Sequence, residues 1–220
     1  MNLFDEADGA AYSVLAKLGF EDVEAPTPRA LLRGMRATLS YRNVGPARGW
    51  CDYLRRRVHV EPSGDLTVEG FETAHEVGHL VGYDQGITCY VQDEFADAVA
   101  GKLLVPTRGI RSLVRRVGLS PPEILHRYPH APASLVLARM GESTDTIAIV
   151  HVAGERRVYS CAYRLVSARL HGEDRLVADV REAGRPLPGP GGVVAWPFLD
   201  PGGLLGVVVL ADLWGLRRVI

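Results

Sequence analysis

Apolar positions along the chain change their period more than once, and the changes divide it. Over residues 4–18 the cluster Ala10, Ala11, Tyr12 and then Leu15 and Leu18 recur at helical spacing with Gly19 behind them, which predicts an amphipathic helix ending at a glycine. Residues 28–39 repeat the pattern after the start signal Thr27-Pro28 and predict a second, basic helix. In "RRRVHVEP" the period falls to two: Val58 and Val60 share one face of a short strand, His59 takes the other, and the arginines suggest a sheet edge. After the turn Pro62-Ser63-Gly64-Asp65, helical spacing returns over 67–82. It returns again over 92–104, until Pro106 stops it, and the residues between, 83–91, read as a loop.

Residues 106–140 differ in kind. Short helical patterns "IRSLVRRVG", "PPEILHRY" and "PASLVLARM" are broken by Gly118-Leu119-Ser120 and by Pro129 and Pro132, the layout of a helix-turn-helix. Arg108, Arg111, Arg115, Arg116, Arg127 and Arg139 stand there against Glu123 alone, an excess that suits phosphate. The middle helix offers His126 and Arg127 to bases but no Asn or Gln for adenine, so a linking or partner-docking role is expected ahead of DNA binding. From Thr144 the period is two. Strands over 146–152 and 158–163 form a hairpin through Gly154, and "GGVVAWPFL" and "GLLGVVVLADL" add two strands around a Pro/Gly turn. A boundary at 141–145 followed by a small α+β domain is the expectation, with 184–192 as a loop.

Composition changes this picture little. The chain has 220 residues, 47% hydrophobic and 23% charged, enough for one large or two to three small globular domains. A net charge of −1 gives no case for a whole-molecule polyanion or membrane partner, so any such surface has to be local. No apolar run approaches the ~18 residues of a membrane span and no leader pattern is visible, which makes the cytoplasm the expected compartment. Cys51, Cys89 and Cys161 are far apart and form no CxxC pair, so they are read as buried thiols.

The chemistry concentrates in "FETAHEVGHLVGY". Residues four apart on a helix lie one turn above each other with Cβ atoms ~5–6 Å apart, so His75 and His79 are able to offer two imidazole nitrogens to one ion. Glu76, on nearly the same face, is placed to act as general base on a metal-bound water attacking a peptide carbonyl. A third ligand has to come from "QDEFADAVAGKLLVP", where Asp93, Glu94 and Asp97 are available and Asp97 suits the spare ring N–H of a ligating histidine. Gly78, costly in mid-helix, points to close packing beside the site. Tyr83, Tyr90, His126, Tyr128 and His130 are the candidate donors to a developing oxyanion. The strand at 58–60 is a candidate for pairing with an extended peptide.

"TAHEVGHL" followed by "DEFADAVAGKLLVP" resembles the ImmA/IrrE family of metallopeptidases over about residues 55–106. More weakly, the order of parts is similar to its IrrE/PprI branch: peptidase, helix-turn-helix, small GAF-like domain. The resemblance implies a gluzincin site with His75 and His79 as ligands and Glu76 as general base. It sets Asp93 where that family has its ligating glutamate, a shorter side chain, with Glu94 as the alternative; Val99 stands where the family has phenylalanine. It also implies that a transcriptional repressor is cleaved in a stress response or in mobile-element regulation.

The resulting expectation is an α+β chain: a mainly helical zincin-like metallopeptidase domain with a small sheet over 1–107, a helix-turn-helix-like module over 108–143, and a GAF-like α+β domain over 144–220. The expected function is a zinc-dependent endopeptidase, with manganese as the other metal the ligands admit, acting on a protein substrate. The alternative is a DNA- or ligand-binding transcriptional regulator whose metal site is not catalytic.

Overall fold

The computed structural model describes residues 3–20, 25–45, 48–88, 90, 92–118, 120–144, 146–159, 170, 172–199 and 205–212. The architecture is α+β, with two small sheets, and the chain forms two compact units, residues 1–109 with 128–132 and residues 110–127 with 133–220.

In the first unit α1 (Leu3–Lys17) presents Ala7, Ala10, Ala11, Val14 and Leu15, all buried, and packs on the helices over 66–84 and 93–104 described below. Helix α2 (Pro28–Gly34) starts as the sequence predicts, with Thr27 Oγ1 accepting from the Ala30 N–H. It is much shorter than the predicted 28–39. Arg36 takes a left-handed φ of 51°, and Thr38–Tyr41 leaves as strand β1. Gly34 stops the helix against Leu18, whose Cδ2 lies 1.7 Å from where a Cβ would be.

Strands β2 (Gly49–Asp52) and β3 (Arg57–Val60) complete a sheet in the order β1-β3-β2, β3 running parallel to β1 and antiparallel to β2. The arginine-flanked strand is therefore central and not an edge, a correction with a simple cause: Arg55 and Arg56 sit in the preceding turn and exposed Arg57 only opens the strand, while Val58, His59 and Val60 are buried. One face carries Leu39, Val58 and Cys51 inward; the other carries the row Ser40, His59, Trp50. Arg56, at φ 51°, bonds the Met35 carbonyl through its guanidinium and grips Asp84 with two hydrogen bonds of 2.8 and 2.9 Å.

Helix α3 (Leu66–Asp84) starts at Asp65, whose carboxylate accepts from Thr67 and Val68 N–H, and α4 (Asp93–Leu104) follows. Gly70, Ala74, Gly78 and Gly82 recur every fourth residue of α3. At 78 a Cβ would lie 2.8 Å from the Ala96 carbonyl oxygen and at 82 it would lie 2.4 Å from Tyr90 Cβ, so glycine is what lets α3 approach its neighbours. Phe95, Val99, Leu103, Val77 and Leu80 fill the space between, fully buried. At ~25 cal/mol per Å² of apolar surface, each such side chain contributes ~1.5–3 kcal/mol.

The second unit holds α5 (Thr107–Val117, all but its first turn), α6 (Pro121–Arg127) and α7 (Ala133–Ser143), then a five-stranded sheet in the order β5-β4-β8-β7-β6. Its strands are β4 (Thr146–Val152), β5 (Glu155–Tyr159), β6 (Leu187–Pro188), β7 (Val194–Leu199) and β8 (Leu205–Asp212), all antiparallel. The hairpin turn is at Ala153-Gly154, and the expected second strand to 163 lies outside the described residues beyond 159. Helix α8 (Glu173–Ala183) was not anticipated; its Val177 and Val180 pack on Ile147, Ile149, Val207 and Val209 of the sheet. Its first residue anchors it: buried Glu173 accepts from His151 Nε2 at 2.8 Å, from Arg156 Nε at 2.6 Å and from the Leu170 N–H. Burial pushes that carboxyl upwards, but the hydrogen bonds from His151 and Arg156 win and hold it down at about 2.

Candidate metal centre

Helix α3 places His75 and His79 on one side, as the four-residue spacing requires, and their Nε2 atoms stand 3.2 Å apart. Each Nδ1 is committed elsewhere. That of His75 donates to Asp97 Oδ1 at 2.8 Å, and that of His79 donates to the Tyr90 carbonyl, which fixes both rings as Nδ1–H tautomers. Each ring is thereby left with its Nε2 lone pair for an ion, the two nitrogens side by side. Tetrahedral zinc with Zn–N bonds of ~2.0–2.1 Å sets its nitrogens ~3.3 Å apart, so the pair is already at ligating separation.

The third donor comes from the first turn of α4. Asp93 Oδ1 lies 3.6 Å from His79 Nε2 and 3.9 Å from His75 Nε2, and the three ligand atoms fall within 4.8 Å of one another. Glu94, next along, is exposed and does not join the group. Two histidines and a carboxylate are a donor set that fits a divalent cation.

Glu76 is buried on the sheet side of α3. A Cβ on Gly49 would lie 2.5 Å from Glu76 Oε1, so the carboxyl lies directly against β2. Burial pushes it up to about 7; Glu72 and Asp93 add to the rise and His75 opposes it. Burial also lowers His79, whereas for His75 the burial effect is outweighed by the Asp97 hydrogen bond and the nearby carboxylates, and its pKa is raised. Cys51, behind Glu76, is a buried thiol pushed up to about 12 by burial and by the neighbouring carboxylate. Cys89 and Cys161 lie outside the described residues.

Of the residues considered as oxyanion donors, Tyr83 and Tyr90 come together with Tyr53: Tyr53 stacks on Tyr83 at 5.2 Å and meets Tyr90 edge-on at 5.3 Å. Tyr90 touches the histidine pair through its main chain. Tyr128 is buried, and His130 packs its carbonyl against Gly70, near the start of α3. His126 belongs to the second unit. Sequence reasoning missed Tyr53, and missed that the hold on His79 is a backbone carbonyl, which no side-chain pattern signals.

No family model matches the chain, and no curated protein matches it. Among solved structures, the chain is similar to one described as a Mycobacterium tuberculosis transcriptional regulator, with a TM-score of 0.65 and 16% identity over 97% of this chain and 90% of that one. The expectation of a zinc endopeptidase that cleaves a repressor is corrected on this finding, since the shared fold spans nearly the full length of a protein named as a regulator. The physical reason is that two imidazoles and a carboxylate bind an ion equally well whether or not a reaction follows.

Proposed function

We propose that the chain is a transcriptional regulator that contacts DNA through the arginine-bearing segment α5–α7 and holds a divalent cation without catalysis. The observation that carries the reading is the full-length likeness to a protein of that description. Local charge supports it: on α5, Arg111, Arg115 and Arg116 are exposed while Ile110 and Leu113 are buried, so the helix is anchored on one side and basic on the other. Zinc at His75, His79 and Asp93, with manganese the next choice for this N/O donor set, ties α3 to α4 in a zincin-like helix pair. The five-stranded sheet with α8 is the GAF-like part and the candidate for ligand sensing.

The test is fluorescence anisotropy with duplex DNA from the region upstream of the chain's own coding sequence, over a salt series. The double variant Arg115→Ala, Arg116→Ala is expected to reduce the salt slope by about 2. Glu76→Gln is expected to leave both metal content and DNA affinity unchanged, because a structural ion has no use for a base. A wild-type protein that raises the anisotropy of no duplex at low salt would overturn the reading.

A further inference from the structure

The first unit carries a charge pattern that neither the metal centre nor α5–α7 uses. Residues 28–60 contain Arg29, Arg33, Arg36, Arg42, Arg48, Arg55, Arg56 and Arg57 against Asp52 alone, a local charge of +7 in a chain whose net charge is −1. No lysine is among them. Arginine's planar fork suits phosphate oxygens and base faces, where a lysine is a point charge. Asp52 is met by Arg55 and faces Arg57 across the β2–β3 pair, and Arg56 is met by Asp84.

The outer face of the β1-β3-β2 sheet gives part of this charge a shape. Trp50, 48% exposed, lies with its indole stacked on the buried His59 ring, centroids 5.0 Å apart and planes 14° apart. Arg42 approaches the same indole, its guanidinium carbon 5.4 Å from the ring centroid. Arg57, beside His59 on β3, is exposed. Trp50 is therefore held by stacking on its cross-strand neighbour, with Arg42 over the ring. Burial lowers the His59 pKa, with Arg42 and Arg57 acting in the same direction.

We infer that this sheet face binds single-stranded nucleic acid, Trp50 stacking on an unpaired base while Arg42 and Arg57 contact the flanking phosphates. A duplex offers its bases only in the grooves, whereas a flat aromatic on a sheet takes a base that is already unstacked. Charge alone would suit an acidic peptide equally well; the exposed indole favours the nucleic acid.

The experiment uses the full chain and fluorescein-labelled 12-mers of oligothymidylate and oligouridylate, with a duplex of mixed sequence and polyglutamate as the other arms. Single strands are expected to bind more tightly than the duplex to a protein carrying Arg115→Ala and Arg116→Ala, which separates this surface from α5. Trp50→Leu is expected to weaken single-strand binding about tenfold or more, and Trp50→Phe to restore most of it. Arg42→Glu with Arg57→Glu is expected to weaken it further and to flatten its salt dependence. Trp50→Leu keeps an apolar cover on His59, so a merely structural tryptophan would leave binding unchanged. That result, or equal competition by polyglutamate, or a preference for duplex in the α5 variant, would overturn the inference. Comparing the two oligonucleotides says whether DNA or RNA is the source.

Discussion

Replacing Gly78 by alanine sets two effects of opposite sign against each other. Glycine in a helix interior is ~1 kcal/mol less favourable than alanine, so an unobstructed Gly→Ala change stabilises. At 78 the new Cβ would lie 2.8 Å from the Ala96 carbonyl oxygen and 3.0 Å from Ala96 Cα, where 3.4–4 Å is ordinary contact. Both obstacles are main chain of α4, so no rotamer absorbs the clash and the helices have to part by several tenths of an ångström. Overpacking of this kind costs ~1–3 kcal/mol, and a rigid obstacle puts it at the upper end. The net expectation is a loss of about 2 kcal/mol. Gly9→Ala is the internal control, because that glycine lies in α1, is exposed and has nothing within 4 Å of the added carbon; it is expected to gain ~0.5–1 kcal/mol. Thermal melts of both variants by circular dichroism, with zinc affinity measured by competition against a chromophoric chelator, read the two effects. Parting α3 from α4 also moves Asp93 and Asp97 away from the histidines, so Gly78→Ala is expected to weaken zinc as well as the fold. A Gly78→Ala protein as stable as Gly9→Ala, with unchanged zinc affinity, would refute the close approach of the helices.

Other expectations follow from single contacts. Asp97→Asn, which weakens the hold on the His75 ring, is expected to lower zinc affinity ~10–100-fold by isothermal titration without unfolding the protein. Glu173→Gln takes the charged acceptor away from Arg156 and His151 inside the second unit and is expected to cost roughly 3–5 kcal/mol in a urea melt. The same carboxyl sets an acid limb: its folded pKa of about 2 lies below the ordinary 4.5, so its contribution is complete above ~4.5 and is lost as pH falls towards 2. Glu173→Gln should flatten that limb when melts are repeated from pH 6 to pH 2.

Long, strongly periodic segments were legible from the chain alone. The helix predicted over 67–82 runs from Leu66 to Asp84, and the one over 92–104 runs from Asp93 to Leu104, because apolar spacing and a cap or stop signal agree at both. The short strands were not. Thr38–Tyr41 and Gly49–Asp52 have four residues each and are strands only because β3 lies between them, a tertiary partner that helical spacing over 28–39 conceals. Helix α8 carried a readable signal, acidic residues at its start and Val177 and Val180 three apart, but it is only 11 residues long and runs into a Pro/Gly loop that drew the reading towards turns. At the metal centre the i,i+4 rule put His75 over His79 and Asp93 with Asp97 on one side of α4. The rise of Glu76 to about 7 was invisible, since it depends on burial against Gly49 in a strand that the sequence did not reveal.

Arg56 joins three places that are distant along the chain: the exit of α2 at Met35, the turn into β3, and the last residue of α3. A forked cation clamped on Asp84 leaves little play between strand and helix, so the two travel as one body. The helix that carries both imidazoles is thereby fastened to the strand that carries His59 and Arg57.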